Sequence, residues 1–447
     1  MLTRSRSKFA LTTAIFLFSF SAACVADNWV GAWGFVPLPP PPGEMSVVTT
    51  PALASLAALT PLSTPPVLAA PNAAAPSGPP LENPGNLAIL PSNVELADVT
   101  VRQLVRVSAG GKQIRLRLSN EGSAGVLPVG AVHVAEAGTD GLILPGTDHA
   151  VTFDGKAGVT IPASAPLLSD PVPMQVKSLD RLVISIHLPG PMPRAGHALF
   201  QYVTLIHGDN TSAPGLPDAK LVRATAIVTE VDVNADAPTN VIVALGDSIT
   251  EGALSTANAF RSWPDRLAER LVAAHKNWAV FNAGIGGNRL LRYGAGPSAL
   301  ARMDRDVFSV PGVKAIILLE GINDIGRGFA PSGQIDPVTP EALEAADKQV
   351  IARAHQKGIK VYGGLLTPYQ GAAYASTSGE QVREALNSWI RTGGAFDGVV
   401  DFATPVADPV NLLTFNPNYN DRDHLHPNDS GYQIMANAID LAMVTGK

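Results

Sequence analysis

Cysteine is almost missing from this chain. Of 447 residues only Cys24 is one, which excludes intramolecular disulfides and any cysteine-based zinc or iron–sulfur site. Charge is sparse too, at 16% of residues against roughly 25% in an average soluble chain. The 32 basic and 38 acidic residues give a net charge of −6, with no basic block beyond the first eight positions. A nucleic-acid binder needs a clustered cationic surface, so that class is excluded. After the N-terminal segment no apolar run approaches the roughly 20 residues of a membrane-spanning helix, so no integral membrane association is expected. What is plentiful is apolar residues, at 46%, which excludes wholesale disorder. At roughly 100–200 residues per domain, the length predicts two or three domains.

Residues 1–26 read as a secretory signal peptide. Arg4, Arg6 and Lys8 precede an apolar run over 9–23 that ends in small residues, and cleavage after Ala26 would leave Asp27 first. Lipid attachment at Cys24 is the less favoured reading, because Ser21 stands where lipoprotein signals usually carry an aliphatic residue. The mature chain is therefore expected to be soluble and exported, whether periplasmic or extracellular.

Composition then changes abruptly. Fifteen of the 38 prolines fall within 37–91, where only Glu44 and Glu82 are charged, predicting an extended linker or insertion without a core of its own. Over 92–237 the hydrophobic period is two. Ile114, Leu116 and Leu118 alternate with polar neighbours, as do Leu182, Ile184, Ile186 and Leu188, which predicts an antiparallel β-sandwich. Residues 109–112 look like a hairpin turn between two of its strands, and 27–36 can add a first strand. The acidic stretch 232–236 has the opening spacing of a calcium loop but lacks its glycine and glutamate, and reads as an interdomain connector.

From 238 to 447 strands and helices alternate. Apolar runs at 241–245, 279–282, 314–319, 360–366 and 399–402 fit strands buried on both faces of a parallel sheet. Thr339 and Pro340 open one helix that Gly358 closes, and Ser378 with Gln381 suggests a capping box for the next. The predicted fold is a doubly wound, flavodoxin-like α/β domain, whose ligands bind beyond the carboxyl ends of the strands.

Chemistry-bearing residues follow those strands directly. Ser248, on a tight strand-to-helix turn, is a candidate nucleophile, although a serine there can simply cap the helix. Gly287 lies in a glycine-rich turn five residues after Asn282, where an amide can face a ligand. Asn323 offers a side-chain amide to a developing oxyanion. Asp423 precedes His426 by three residues, about one turn, close enough to orient the ring as a general base. No metal-ligand set accompanies Asp423, His424 and His426, and no phosphate-binding glycine loop follows a strand, so neither metal nor cofactor is expected.

In this combination and order the motifs of the C-terminal half resemble the SGNH (GDSL) hydrolase superfamily. The resemblance implies a serine nucleophile at Ser248, with Asp423 and His426 completing a triad. It also implies an oxyanion hole made by the amides of Ser248 and Gly287 and the side chain of Asn323. Ile249 departs conservatively from the leucine of the family motif, and Glu320, beside the asparagine block, is a candidate to tune the site. Trp29 to Trp33, 102–108 and 115–120 resemble the β-rich domain that precedes the catalytic domain in a group of secreted bacterial GDSL esterases, some of which act on acetylated plant polysaccharides. The implied function is a secreted carboxylic ester hydrolase acting on short-chain acyl esters, small or carbohydrate-borne. A lipase, phospholipase or acyltransferase would use the same residues on longer chains. An inert carbohydrate-binding protein is the third reading, disfavoured because every catalytic residue type is retained.

Overall fold

In the computed structural model, the described residues are 27–37, 97–138, 141–191, 202–223, 227–329, 336–420 and 422–446. The segment read as a signal peptide, with Cys24, and nearly all of 37–91 lie outside them. No helix among the described residues is long and apolar enough to cross a membrane.

Among the described residues the N-terminal half contains twelve strands. They are β1 (Trp29–Gly34), β2 (Val99–Arg106), β3 (Gly111–Ser119), β4 (Leu127–Val129), β5 (Ala131–Glu136) and β6 (His149–Ala150). There follow β7 (Val159–Ile161), β8 (Pro166–Leu168), β9 (Arg181–Leu188), β10 (Tyr202–His207), β11 (Lys220–Arg223) and β12 (Val228–Ala235). One antiparallel sheet has the order β1-β12-β3-β8 and a second β11-β10-β2-β9-β5-β6, with β4 and β7 forming a separate ribbon. Val101, Val105, Ile114, Leu116, Leu118, Ile184 and Ile186 are fully buried in the shared core, the outcome that alternation requires when one face of each sheet turns inward. The Gln103 side chain on β2 ties the sheets together, donating to the Val228 carbonyl at 3.2 Å and accepting from the amides of Ile227 and Val228.

Two expectations are corrected here. Residues 109–112 do not form a hairpin, because β2 pairs with β9 and β10 while β3 pairs with β12 and β8. The chain crosses between sheets, and Gly111 bonds Val176 in both directions. The stretch 232–236 is no connector either, since most of it is the end of β12, paired on both sides, with Asp232 accepting from Arg115 Nε at 2.7 Å.

The C-terminal half contributes β13 (Asn240–Gly246), β14 (Trp278–Gly284), β15 (Val313–Leu319), β16 (Lys360–Gly364) and β17 (Gly398–Val400), all parallel, in the order β14-β13-β15-β16-β17. Its main helices are α1 (Ser248–Glu251), α2 (Trp263–Ala273), α3 (Ala299–Met303), α4 (Ile322–Gly328), α5 (Pro340–His355), α6 (Thr377–Thr392), α7 (Asp429–Asn437) and α8 (Leu441–Thr445). Counted within the domain the strand order is second, first, third, fourth, fifth, the flavodoxin-like doubly wound arrangement. Residues 241–245 are wholly buried, as an interior parallel strand demands. Thr339 caps α5 as expected, whereas α6 is capped by Ser376, two residues earlier than the Ser378 box. Glu380, in the first turn of α6, pairs with Arg383.

The two halves pack through β1. Its Gly31 amide donates to the Pro311 carbonyl at 3.0 Å, and Ser108 Oγ bonds both Ala32 and the edge strand β14 at Val280. Arg106 on β2 reaches α2, meeting Glu269 at 2.6 Å.

Candidate active site

The strand order reverses direction at β13, between β14 and β15, and the chain ends of these three strands meet there. Such a switch point leaves a crevice beyond the strand ends. Ser248 follows β13, Gly287 follows β14 and Asn323 follows β15.

Ser248 is the first residue of α1, and Asp247 supplies the cap by accepting the Ile249 amide at 2.9 Å. Ser248 is thus not the cap, and an amide at the first helical position has no partner within the helix. On this tight turn Ser248 is only 6% exposed. The His426 ring closes on it, with Ser248 Oγ 2.8 Å from Nε2.

On the ring's other side, His426 Nδ1 lies 2.5 Å from Asp423 Oδ2. The pair does not meet through a regular turn, as the three-residue spacing suggested. Residues 422–426 form an irregular loop in which Arg422 and His424 both adopt positive φ, 72° and 60°. Asn420 secures that loop, donating to Asp423 Oδ1 at 3.2 Å and to the His426 carbonyl at 2.8 Å. Burial alone would raise the Asp423 carboxyl, but hydrogen bonds from the His426 ring and from the His426 and Leu425 amides outweigh it and hold the carboxyl well below its usual range. The result is a fixed anion behind the imidazole.

Asn323 is the second residue of α4 and is buried. Tyr374 Oη donates to its Oδ1 at 3.4 Å, while its Nδ2 is buried with no hydrogen-bond partner. A buried unsatisfied donor costs about 1–3 kcal/mol, a cost that a ligand oxygen placed there removes. Gly287 holds φ +75°, the left-handed region open to glycine, so the turn can bring its backbone to the crevice without a side chain.

Beneath the serine turn lies a carboxyl cluster. Burial pushes Asp247 up to about 7, partly opposed by the Ile249 amide and His426. Burial and Asp247 together raise Glu320 well above its usual value, against the pull of Arg302. Arg302, itself buried, donates to the Gly246 and Ala283 carbonyls and to Asn288, fixing the ends of β13 and β14.

Of the residues singled out from sequence, Ser248, His426 and Asp423 form one continuous hydrogen-bonded chain, and Asn323 and Gly287 follow the neighbouring strands. Tyr374, Asn420 and Asp324 were missed. Asp324 accepts the Leu290 and Leu291 amides at 2.7 and 3.2 Å, pinning the Gly287 loop to α4, yet in sequence it reads only as half of an Asn-Asp turn.

Residues 244–434 match the GDSL-like Lipase/Acylhydrolase family. The chain has no match among curated proteins. Among solved structures it is similar to a GDSL-like lipase from Bacteroides thetaiotaomicron VPI-5482, at 19% identity over 46% of this chain and 89% of that one, with a TM-score of 0.36. An acetyl xylan esterase is similar at 20% identity over 44% of this chain and 96% of that one, TM-score 0.33. An α/β-hydrolase enzyme from the metagenome of Lake Arreo, Spain, is similar at 22% identity over 46% and 95%, TM-score 0.37. Residues 244–434 of the C-terminal half are thus a GDSL-like lipase/acylhydrolase domain, the domain of an ester hydrolase.

Proposed function

We propose that this protein is an exported serine esterase that removes short acyl groups from small or carbohydrate-borne esters. The observation that carries the reading is the Ser248–His426–Asp423 chain, with separations of 2.8 and 2.5 Å. Ser248 Oγ attacks the ester carbonyl carbon while its proton passes to His426 Nε2. Asp423 holds the ring through Nδ1 and stabilises the imidazolium that forms. The carbonyl oxygen, now an oxyanion, accepts from the amides of Ser248 and Gly287 and from Asn323 Nδ2. On collapse His426 returns the proton to the departing alcohol oxygen. Water, deprotonated by His426, then releases the acid from the acyl-serine.

Export rests on the signal pattern of residues 1–26. The test is a 4-nitrophenyl ester series from acetate to palmitate, followed by acetate release from acetylated xylan and pectic fragments. Highest kcat/KM on acetate supports the reading, and a preference for C8 or longer overturns it.

A further inference from the structure

The loop after β14 folds back on itself, with the Gly287 carbonyl accepting the Ala295 amide at 3.4 Å and the Gly294 amide donating to Gly296 at 3.0 Å. Asp324 holds this loop against α4. The fold thereby brings two guanidinium groups to one side of the crevice. Arg327 is exposed one turn beyond Asn323, and its Nη2 lies 3.3 Å from where a Cβ on Gly287 would stand. Arg289 is half-buried, with its stem against Gly294 and its Nε buried without a hydrogen-bond partner. Each lies within electrostatic range of the other.

Neither arginine has a counter-ion in contact among the described residues. Asp324 attracts Arg289 from a distance while accepting the loop amides, and Asp336 pairs with Arg292. A guanidinium partly stripped of water, held beside a second one and with no anion in contact, favours an anion that touches both. A guanidinium fork matches both carboxylate and phosphate oxygens.

We infer that Arg289 and Arg327 form a subsite for an anionic group, carboxylate or phosphate, carried on the alcohol portion of the substrate close to the acylated oxygen. The physiological substrate class is then an acyl ester of an acidic sugar. This deepens the esterase reading and rests on it.

The test measures kcat/KM of the full chain on three mono-O-acetylated sugars: methyl glucuronide, methyl glucoside and methyl glucoside 6-phosphate. An anionic ester is expected to exceed the neutral one by about tenfold or more, the size of one charge-assisted contact. Whichever anion gives the larger ratio identifies the source. Arg289→Gln and Arg327→Gln keep most of each stem, and each should lower the anionic-to-neutral ratio by about tenfold. Added NaCl should lower it in the unsubstituted protein. Because the readout is a ratio, general damage to the fold cancels. A ratio near one, or variants that lower both esters equally, would overturn the subsite. So would turnover of 4-nitrophenyl acetate with none of the three sugars. Failure on 4-nitrophenyl acetate as well would instead contradict the esterase reading.

Discussion

Asp423 grips His426 at two points. Its Oδ2 meets the ring Nδ1 at 2.5 Å, and its Oδ1 accepts the backbone amide of the same residue at 2.9 Å. Ring and backbone are thus positioned by one carboxylate, and Pro427 confines His426 to extended angles from the other side. His424, one residue after that aspartate, is turned elsewhere. Its amide donates to Asn420, and its ring packs where a Cβ on Gly371 would stand, at 2.9 Å. His426→Ala should therefore lower kcat/KM on a small acetyl ester by about 10³-fold or more, and His424→Ala by less than about tenfold. The reverse ranking would place the base on the wrong histidine.

Asn323→Ala should act on kcat and leave KM nearly unchanged. Its Nδ2 is unpartnered in the free protein, so its bond forms only as charge develops on the ester oxygen. Loss of one such donor costs about 10²–10³ in kcat. Steady-state kinetics decide the matter, and an effect confined to KM would make Asn323 a substrate-holding group instead.

Gly34→Ala tests the packing of the two halves. A methyl on Gly34 in β1 would overlap the Phe281 ring of β14, so β1 can lie this close only without a side chain there. Overpacking of this kind costs about 1–3 kcal/mol. Denaturant titration should show a lower midpoint, and an unchanged midpoint would mean the strand shifts freely.

Stability should fall as pH rises, because of Asp347 on α5. It is 3% exposed, its Oδ1 has no hydrogen-bond partner, and burial, with Asp324 and Glu344 adding, raises its carboxyl well above the usual value. Below the unfolded value of about 4 both states hold the proton and the residue adds no pH dependence. Above it the unfolded chain releases a proton the folded chain keeps, so each pH unit costs up to about 1.4 kcal/mol until the folded carboxyl also ionises. Asp347→Asn should accordingly stabilise the protein at pH 7–8, with the gain shrinking toward pH 4. An equal effect at both ends of that range would rule out a retained proton.

The parts of the fold legible in sequence were those set by local pattern. Residues 241–245 and 314–319 read as strands because burial on both faces leaves an unbroken apolar run, and Ser248, Gly287 and Asn323 stood out because each follows such a run. Partnership was less legible. Alternation in β2 and β3 says that each has one buried face, but not that β2 pairs with β9 and β10, some 80 and 100 residues away. The acidic composition of 232–236 concealed a strand whose Asp232 is matched by Arg115 across the ladder. Ser378 read as the cap of α6, but the side chain that accepts a helix amide there is that of Ser376. Tyr374 and Asn420 carried no signal, because they act only through hydrogen bonds to residues that did, Tyr374 to Asn323 and Asn420 to Asp423 and His426.

The central claim is that Ser248 is the nucleophile, and covalent labelling tests it most directly. The full chain and its Ser248→Ala variant would be treated with a fluorophosphonate, weighed intact and mapped by peptide mass. A single adduct on Ser248, with loss of esterase activity in step with labelling and no adduct on the variant, is the predicted result. An adduct on another residue, or labelling of the variant at the rate of the unsubstituted protein, would contradict it.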